Sequence, residues 1–210
     1  MRSAYIPGYQ WVREQLPKLG KIRNAQFQYC QYSSRYDKFK EGVVLNAFNP
    51  ELSNAAVMDI GVYALYLFLM LFGKPETVQS SAVILHNGME GAGTALLGYK
   101  DMVGTVIWSK ITEGIGPSVI QGENGSIAID HISQFPAARM ILRNGETAEY
   151  VNNGPANNMC FEAEIFADLV AKKTVDRTFD SSYILKDTIL CFDVMDEVRR
   201  QTGIVFPADK

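Results

Sequence analysis

Apolar residues are densest between Ala55 and Gly73, and the run from Ile60 to Phe72 carries no charge. A bilayer span takes roughly 20 such residues, so this run is too short to cross a membrane. Being apolar on every side, it predicts a helix buried within protein. Asn49-Pro50-Glu51 and Ser53-Asn54 precede it where turn and cap residues belong. Gly73 and Pro75 follow it, as they do at helix ends. Helical spacing also predicts Tyr9–Leu19, interrupted near its end by Pro17, then Asn158–Ala171 and Ser181–Thr202. The last two carry apolar stripes expected to face the core: Phe161, Ile165, Phe166, Leu169 and Val170, then Ile184, Leu185, Ile189, Phe192, Met195 and Val198. Asp180 and Ser181 offer caps to the final helix, and Gly203 stops it.

Strand-like runs fill the rest. They are Lys21–Ser34, Thr77–Leu85, Gly93–Tyr99, Val103–Ile111, Ser118–Gln121, Ser126–Asp130, Arg139–Leu142 and Glu146–Val151. Lys100-Asp101, Gly122-Glu123-Asn124-Gly125 and Asn144-Gly145 mark tight hairpins. About eight strands joined mostly by short turns predict an α+β fold: a large, mostly antiparallel open sheet with helices packed on one face. Arg35–Ser53 reads as a long polar loop. Ala82-Val83-Ile84-Leu85 and Val106-Ile107-Trp108 are taken as central strands apolar on both faces. That pattern favours a second chain over the open face, hence a dimer or other homo-oligomer; the alternative is a sheet covered only by its own loops.

Composition narrows the function. The 210 residues are 47% hydrophobic with a net charge of −3. There is no Lys/Arg-rich run of the kind nucleic-acid binding uses. Cys30, Cys160 and Cys191 with His86 and His131 show no metal-ligand spacing. Reduced thiols and the absence of a leader-like start predict a cytoplasmic protein with no membrane segment.

Two polar side chains enter the apolar helix near its start. Asp59 and Tyr63 lie four residues apart and share a face. Gly61 lies between them. A glycine inside a helix costs about 1 kcal/mol relative to alanine, which points to a close approach on the backbone there. From the residues alone two readings stand: a helix-end carboxylate with a core tyrosine, or a reactive pair.

Asn49-Pro50-Glu51-Leu52 followed by Met58-Asp59-Ile60-Gly61-Val62-Tyr63 resembles the signature of the glucose–fructose oxidoreductase, inositol dehydrogenase and MocA family, in its C-terminal domain. Arg2, Tyr5 and Pro7 resemble the segment leaving that family's nucleotide domain. Gly20-Lys21-Ile22, Ile120-Gln121-Gly122 with Gly125-Ser126-Ile127, and Asn158-Met159 with Glu162 extend the likeness over nearly the whole chain.

The resemblance implies a substrate-binding and oligomerisation domain, residues 1–210, of an oxidoreductase acting on a sugar, polyol or related hydroxy or keto compound. In the family an NAD- or NADP-holding Rossmann domain, with a catalytic lysine, precedes it. That half is not in this chain. Gly91-Ala92-Gly93 begins a strand and Gly114-Ile115-Gly116 runs into Pro117, so neither is a dinucleotide fingerprint. No bound dinucleotide and no turnover are therefore expected of the chain alone. Carried over, Asp59 and Tyr63 are the catalytic pair, and Gly61 gives substrate or nicotinamide room. Arg2 and Tyr5 are further substrate-site candidates. A free phenol titrates near ~10, so a tyrosine base needs a cation beside it. Many relatives have His at the place of Tyr63, and a Gly pair often stands where this chain has Asn54-Ala55-Ala56. The alternative is a non-catalytic dimerisation or ligand-sensing module with the same fold. A standalone small-molecule carrier is a third.

Overall fold

The computed structural model describes residues 1–155, 157–171 and 181–210, without the side chains of 181–183. Eight strands form a single sheet: β1 (Ile22–Cys30), β2 (Thr77–Ile84), β3 (Glu90–Gly98), β4 (Val103–Ser109), β5 (Ser118–Gly122), β6 (Gly125–Ile129), β7 (Ala137–Leu142) and β8 (Thr147–Val151). Their order is β2-β3-β4-β1-β5-β6-β7-β8. Every pairing is antiparallel except β1 with β4, which runs parallel from Asn24↔Val103 to Cys30↔Ser109. The expected α+β architecture is what forms. β1 is laid down first yet sits in the middle, because the hairpins β2-β3-β4 and β5-β6-β7-β8 add to its two sides.

One correction follows from that order. Ala82-Val83-Ile84-Leu85 is not central, since β2 is an edge strand. Only Val106-Ile107-Trp108 lies mid-sheet, in β4. The core-facing phase of the sheet is apolar: Ala25, Phe27, Leu97, Val106, Trp108, Ile120, Ile127 and Met140 are all buried. The opposite face is mixed, with Gln26, Thr105 and Gln121 beside half-exposed Val83, Leu96, Val103 and Ile141.

The helices are α1 (Pro7–Gln15), α2 (Tyr36–Lys40), α3 (Val62–Phe72), α4 (Met159–Val170) and α5 (Ser181–Thr202). α1 starts two residues before Tyr9 because Pro7 fits the first helical turn, where its missing N–H costs nothing. It tightens into a 3₁₀ turn at Leu16–Leu19 and ends at Gly20, φ +69°. α3 is the buried rod expected: Ala64, Leu65, Tyr66, Leu67, Phe68 and Leu69 are all inaccessible to solvent or nearly so. Each large side chain so buried stabilises the fold by ~1.5–3 kcal/mol. Phe68 packs edge-on against Phe27 of β1, with ring centroids 5.2 Å apart.

Three further expectations are revised. Arg35–Ser53 is not an irregular loop. It holds α2 and 3₁₀ turns at Asn46–Phe48 and Pro50–Leu52. Phe39, Phe48 and Met89 give it a small core of its own, with Tyr36 stacked on Phe39 and Phe48. The stripe on α4 is not core, for no α4 residue is buried and Phe166 and Val170 are both 67% exposed. On α5 the buried face is Cys191, Val194, Met195 and Val198, while Leu185, Ile189 and Phe192 point outward. The caps expected at Asp180 and Ser181 fall outside the described side chains. No helix among the described residues is long and apolar enough to cross a membrane.

Candidate functional site

The chain does not enter α3 directly. A π-helical turn, Val57–Gly61, runs straight into it. Such turns carry one residue more per turn and recur at functional sites. Ser53 and Asn54, the expected caps, do something else. Asn54 Nδ2 donates to the carbonyls of Asn46 (2.6 Å) and Asn49 (3.1 Å), tying the preceding turns together. The cap comes from β3. Glu90, 1% exposed, receives the Val57 N–H on Oε2 at 2.8 Å. Its Oε1 receives the Trp108 Nε1–H at 2.7 Å. A carboxylate at the positive end of a helix is favourable in itself. Burial nevertheless pushes the Glu90 carboxyl above its ordinary range. The hydrogen bonds from Val57 and Trp108 and the nearby Lys110 charge pull the other way.

The Trp108 indole lies between Gly61 and Gly93. A Cβ on Gly61 would stand 3.0 Å from Trp108 Cγ, and one on Gly93 2.6 Å from Cζ2. Gly61 is thus the site of a close approach, but the approaching group is an indole. Gly61 itself is buried and does not line the cavity described next.

The π turn brings Asp59 and Tyr63 to one cavity of about 350 Å³. Its wall includes Tyr29, Gln31, Tyr32, Ser33, Arg35, Ala47 and Lys110. The floor is an ion pair, Lys110 Nζ to Asp59 Oδ2 at 2.6 Å. The two partners differ in access: the Lys110 side chain is 4% exposed and that of Asp59 53%. Lys110 Nζ also donates to the Ala47 carbonyl at 2.9 Å and lies 5.2 Å over the Phe48 ring. The Tyr63 ring meets Tyr29 edge-on, centroids 5.4 Å apart. Tyr29 in turn meets His131, 5.6 Å away, beside a second cavity of about 210 Å³.

Arg2 and Tyr5 are not brought to this cavity. They sit in the amino-terminal 3₁₀ turn, against α4. Burial, and after it the Glu162 carboxylate of α4, raises the Tyr5 hydroxyl pKa. Sequence reasoning passed over Lys110, Glu90 and Tyr29. A signal for Lys110 was available. Gly104, Val106 and Trp108 share the buried phase of β4, and the next position in that phase, just past the strand end, is a lysine. A charged residue in a core-facing phase needs a partner.

The sequence profile of the GFO/IDH/MocA C-terminal domain matches residues 10–128, more than half of the chain. The chain belongs to that family. Over its full length it is 38% identical to scyllo-inositol 2-dehydrogenase (NADP(+)) IolU of Bacillus subtilis (strain 168), covering 63% of that protein. It is also 38% identical to the uncharacterized oxidoreductase YgjR of Escherichia coli (strain K12), covering 99% of this chain and 62% of the relative. The chain thus spans a little over three-fifths of these relatives. Its fold is shared with KijD10, a 3-ketoreductase from Actinomadura kijaniata solved with NADP and TDP-benzene. There the TM-score is 0.74 at 15% identity, covering 96% of this chain and 61% of that one.

The two Gly-x-Gly stretches of the chain do not form a dinucleotide fingerprint. Gly91-Ala92-Gly93 lies within β3, and Gly114-Ile115-Gly116 lies in the loop before β5; neither opens a helix that would receive a pyrophosphate.

Proposed function

We propose that this chain is the substrate-binding part of an NAD- or NADP-dependent oxidoreductase acting on a sugar, cyclitol or related polyhydroxy compound. The dinucleotide belongs to another domain of the whole protein. The observation that carries the reading is the cavity itself. Asp59, Tyr63 and Lys110 face one polar space of a size suited to a single substituted ring, at the small end of the ~300–1,000 Å³ typical of ligand sites. Similarity to an NADP-dependent scyllo-inositol dehydrogenase supports the same class of chemistry.

Within it, Tyr63 takes the hydroxyl proton of the carbon being oxidised, or returns it in the reverse direction. Asp59 accepts a hydrogen bond from substrate. Lys110 supplies a cation beside Asp59, on the wall of the cavity that Tyr63 also lines. The exposed apolar stripe of Phe166, Val170, Leu185, Ile189 and Phe192 gives α4 and α5 a surface for a further domain. The helix-free sheet face, with Val83, Leu96, Val103 and Ile141 half-exposed, receives a second copy of the chain.

The test places a dinucleotide-binding domain ahead of Met1 and follows NADP reduction with scyllo-inositol as the probe. Turnover is expected of the joined protein and none of the 210-residue chain. Tyr63→Phe should lower kcat by roughly 10²–10⁴-fold. A kcat near that of the parent removes Tyr63 from the mechanism. Binding without turnover in the joined protein favours a sensing module instead.

A further inference from the structure

The two edges of the sheet are protected unequally. β8 is five residues long and carries Glu149. Short, charged edges resist pairing with another chain. β2 is eight residues long, and from Thr77 to Met89 the sequence has no Lys, Arg, Asp, Glu or Pro. Val78-Gln79-Ser80-Ser81-Ala82-Val83-Ile84 joins β-forming side chains to zero charge, the composition that stacks strand on strand. Val83 and Ile84 are half-exposed there.

One side chain stands where the next strand would lie. It is Gln201, in the last turn of α5. Its Oε1 accepts the Ser80 N–H at 2.8 Å and the Ser80 hydroxyl at 3.0 Å. Its Nε2 donates to the Val78 carbonyl at 2.8 Å. A glutamine side chain carries an N–H donor and a carbonyl acceptor, as a peptide group does. It therefore offers β2 what a neighbouring strand offers. The amide cannot turn over without facing donor to donor, for Nε2 also gives to Glu197 Oε1 at 2.6 Å. Arg200 holds Glu197 in turn, at 2.8 and 2.5 Å. Further along, β2 shifts register against β3 between Val83 and Ile84. A bulge of that kind bends an edge away from partners. Ala82 lies between the two devices. Two residues beyond Ser80, it presents its backbone in the same outward direction.

We propose that Gln201 is an edge guard: it occupies the outward groups of Val78 and Ser80 and so keeps β2 from pairing with β2 of a second copy. The partner shut out is this same chain. An uncharged strand meets no repulsion from its own copy, whereas two β8 strands would set Glu149 near Glu149. The guard is independent of the pairing of sheet faces, which leaves both edges as they are.

The experiment uses the chain carrying Leu96→Glu, whose charge on the helix-free face keeps face pairing from masking edge pairing. Gln201→Met keeps the length of the side chain and removes the donor and the acceptor. Hydrogen exchange at the Ser80 amide should quicken by at least about 5-fold. Sedimentation velocity and thioflavin fluorescence should show assemblies that grow with concentration and that the Leu96→Glu chain lacks. Adding Ala82→Pro removes an outward N–H that makes no ladder bond and should abolish them. Urea midpoints show which variants are folded. Should Gln201→Met not accumulate, Gln201→Ala carries the comparison; should Ala82→Pro not, Val83→Lys sets a charge on the same edge. Unchanged exchange at Ser80 overturns the proposal, as does a Gln201 variant that sediments like the Leu96→Glu chain at every concentration. Assemblies that survive the edge substitution overturn it too, since they run through another surface.

Discussion

Replacing Glu90 by leucine removes the sheet's hold on the π turn. Glu90 is buried, and its two oxygens take the Val57 N–H and the Trp108 Nε1–H at 2.8 and 2.7 Å. Leucine fills the space and accepts neither bond. A buried donor left without a partner costs about 1–3 kcal/mol. Release of the desolvated carboxylate offsets part of the loss from two such donors, so the net drop is about 2–4 kcal/mol. Glu90→Gln keeps one acceptor and should lose about 1–2 kcal/mol.

The pH dependence separates charge from packing. Burial raises the folded pKa of Glu90 above its ordinary 4.5. Between those two values the folded chain holds more protons than the unfolded chain, so stability falls as pH rises. The contribution of Glu90 is fully present below the unfolded pKa and is lost as pH rises through the folded pKa. Glu90→Gln has no proton to lose and should flatten that slope. Urea titrations followed by tryptophan fluorescence, at about pH 5 and about pH 7.5, read both effects. A Glu90→Leu variant within about 0.5 kcal/mol of the parent would refute the capping argument. An unchanged pH slope in Glu90→Gln would refute the electrostatic one.

Gly104→Ala sets a methyl group into the Phe68 ring that covers β4. It should destabilise the chain by about 1–3 kcal/mol in the same urea assay, as overpacking does. Leu96→Glu places a charge on the helix-free sheet face, where Leu96 is 43% exposed. In sedimentation velocity the parent chain should run as a dimer and the variant as a monomer; a parent that stays monomeric removes the pairing proposal.

Much of the fold was legible because alternation and turn chemistry are local. Asn144-Gly145 and Gly122-Glu123-Asn124-Gly125 placed their hairpins, and Gly145 takes φ +90° as such a turn requires. The order of strands was not legible. Nothing in β1 announces that β4 will lie parallel beside it, or that β2 ends at an edge. Periodicity finds an amphipathic face but not its centre. On α5 the buried line runs through Cys191, Val194 and Val198, while the larger Leu185 and Phe192 remain outside. Arg35–Ser53 misled through its charges. Its order comes from Tyr36, Phe39 and Phe48, whose spacing fits neither a strand nor a long helix.

At the site, the pair four residues apart was visible and its supports were not. Asp59 and Tyr63 belong to a local motif, whereas Lys110 and Glu90 are distant in sequence and identifiable only by phase. β4 presents Trp108 and, just past its end, Lys110 toward the π turn, and Glu90 of the neighbouring strand caps that turn from below. Trp108 occupies the space that Gly61 leaves open, so the indole and the glycine set the height of the turn together. Lys110 then neutralises the carboxylate that this turn turns outward. Substitutions in this buried phase of the sheet act on the cavity through the π turn. In the joined protein proposed above, Glu90 and Trp108 variants are therefore expected to impair KM more than kcat, since they shift Asp59 and leave Tyr63 in place; an unchanged KM with a collapsed kcat would refute that expectation.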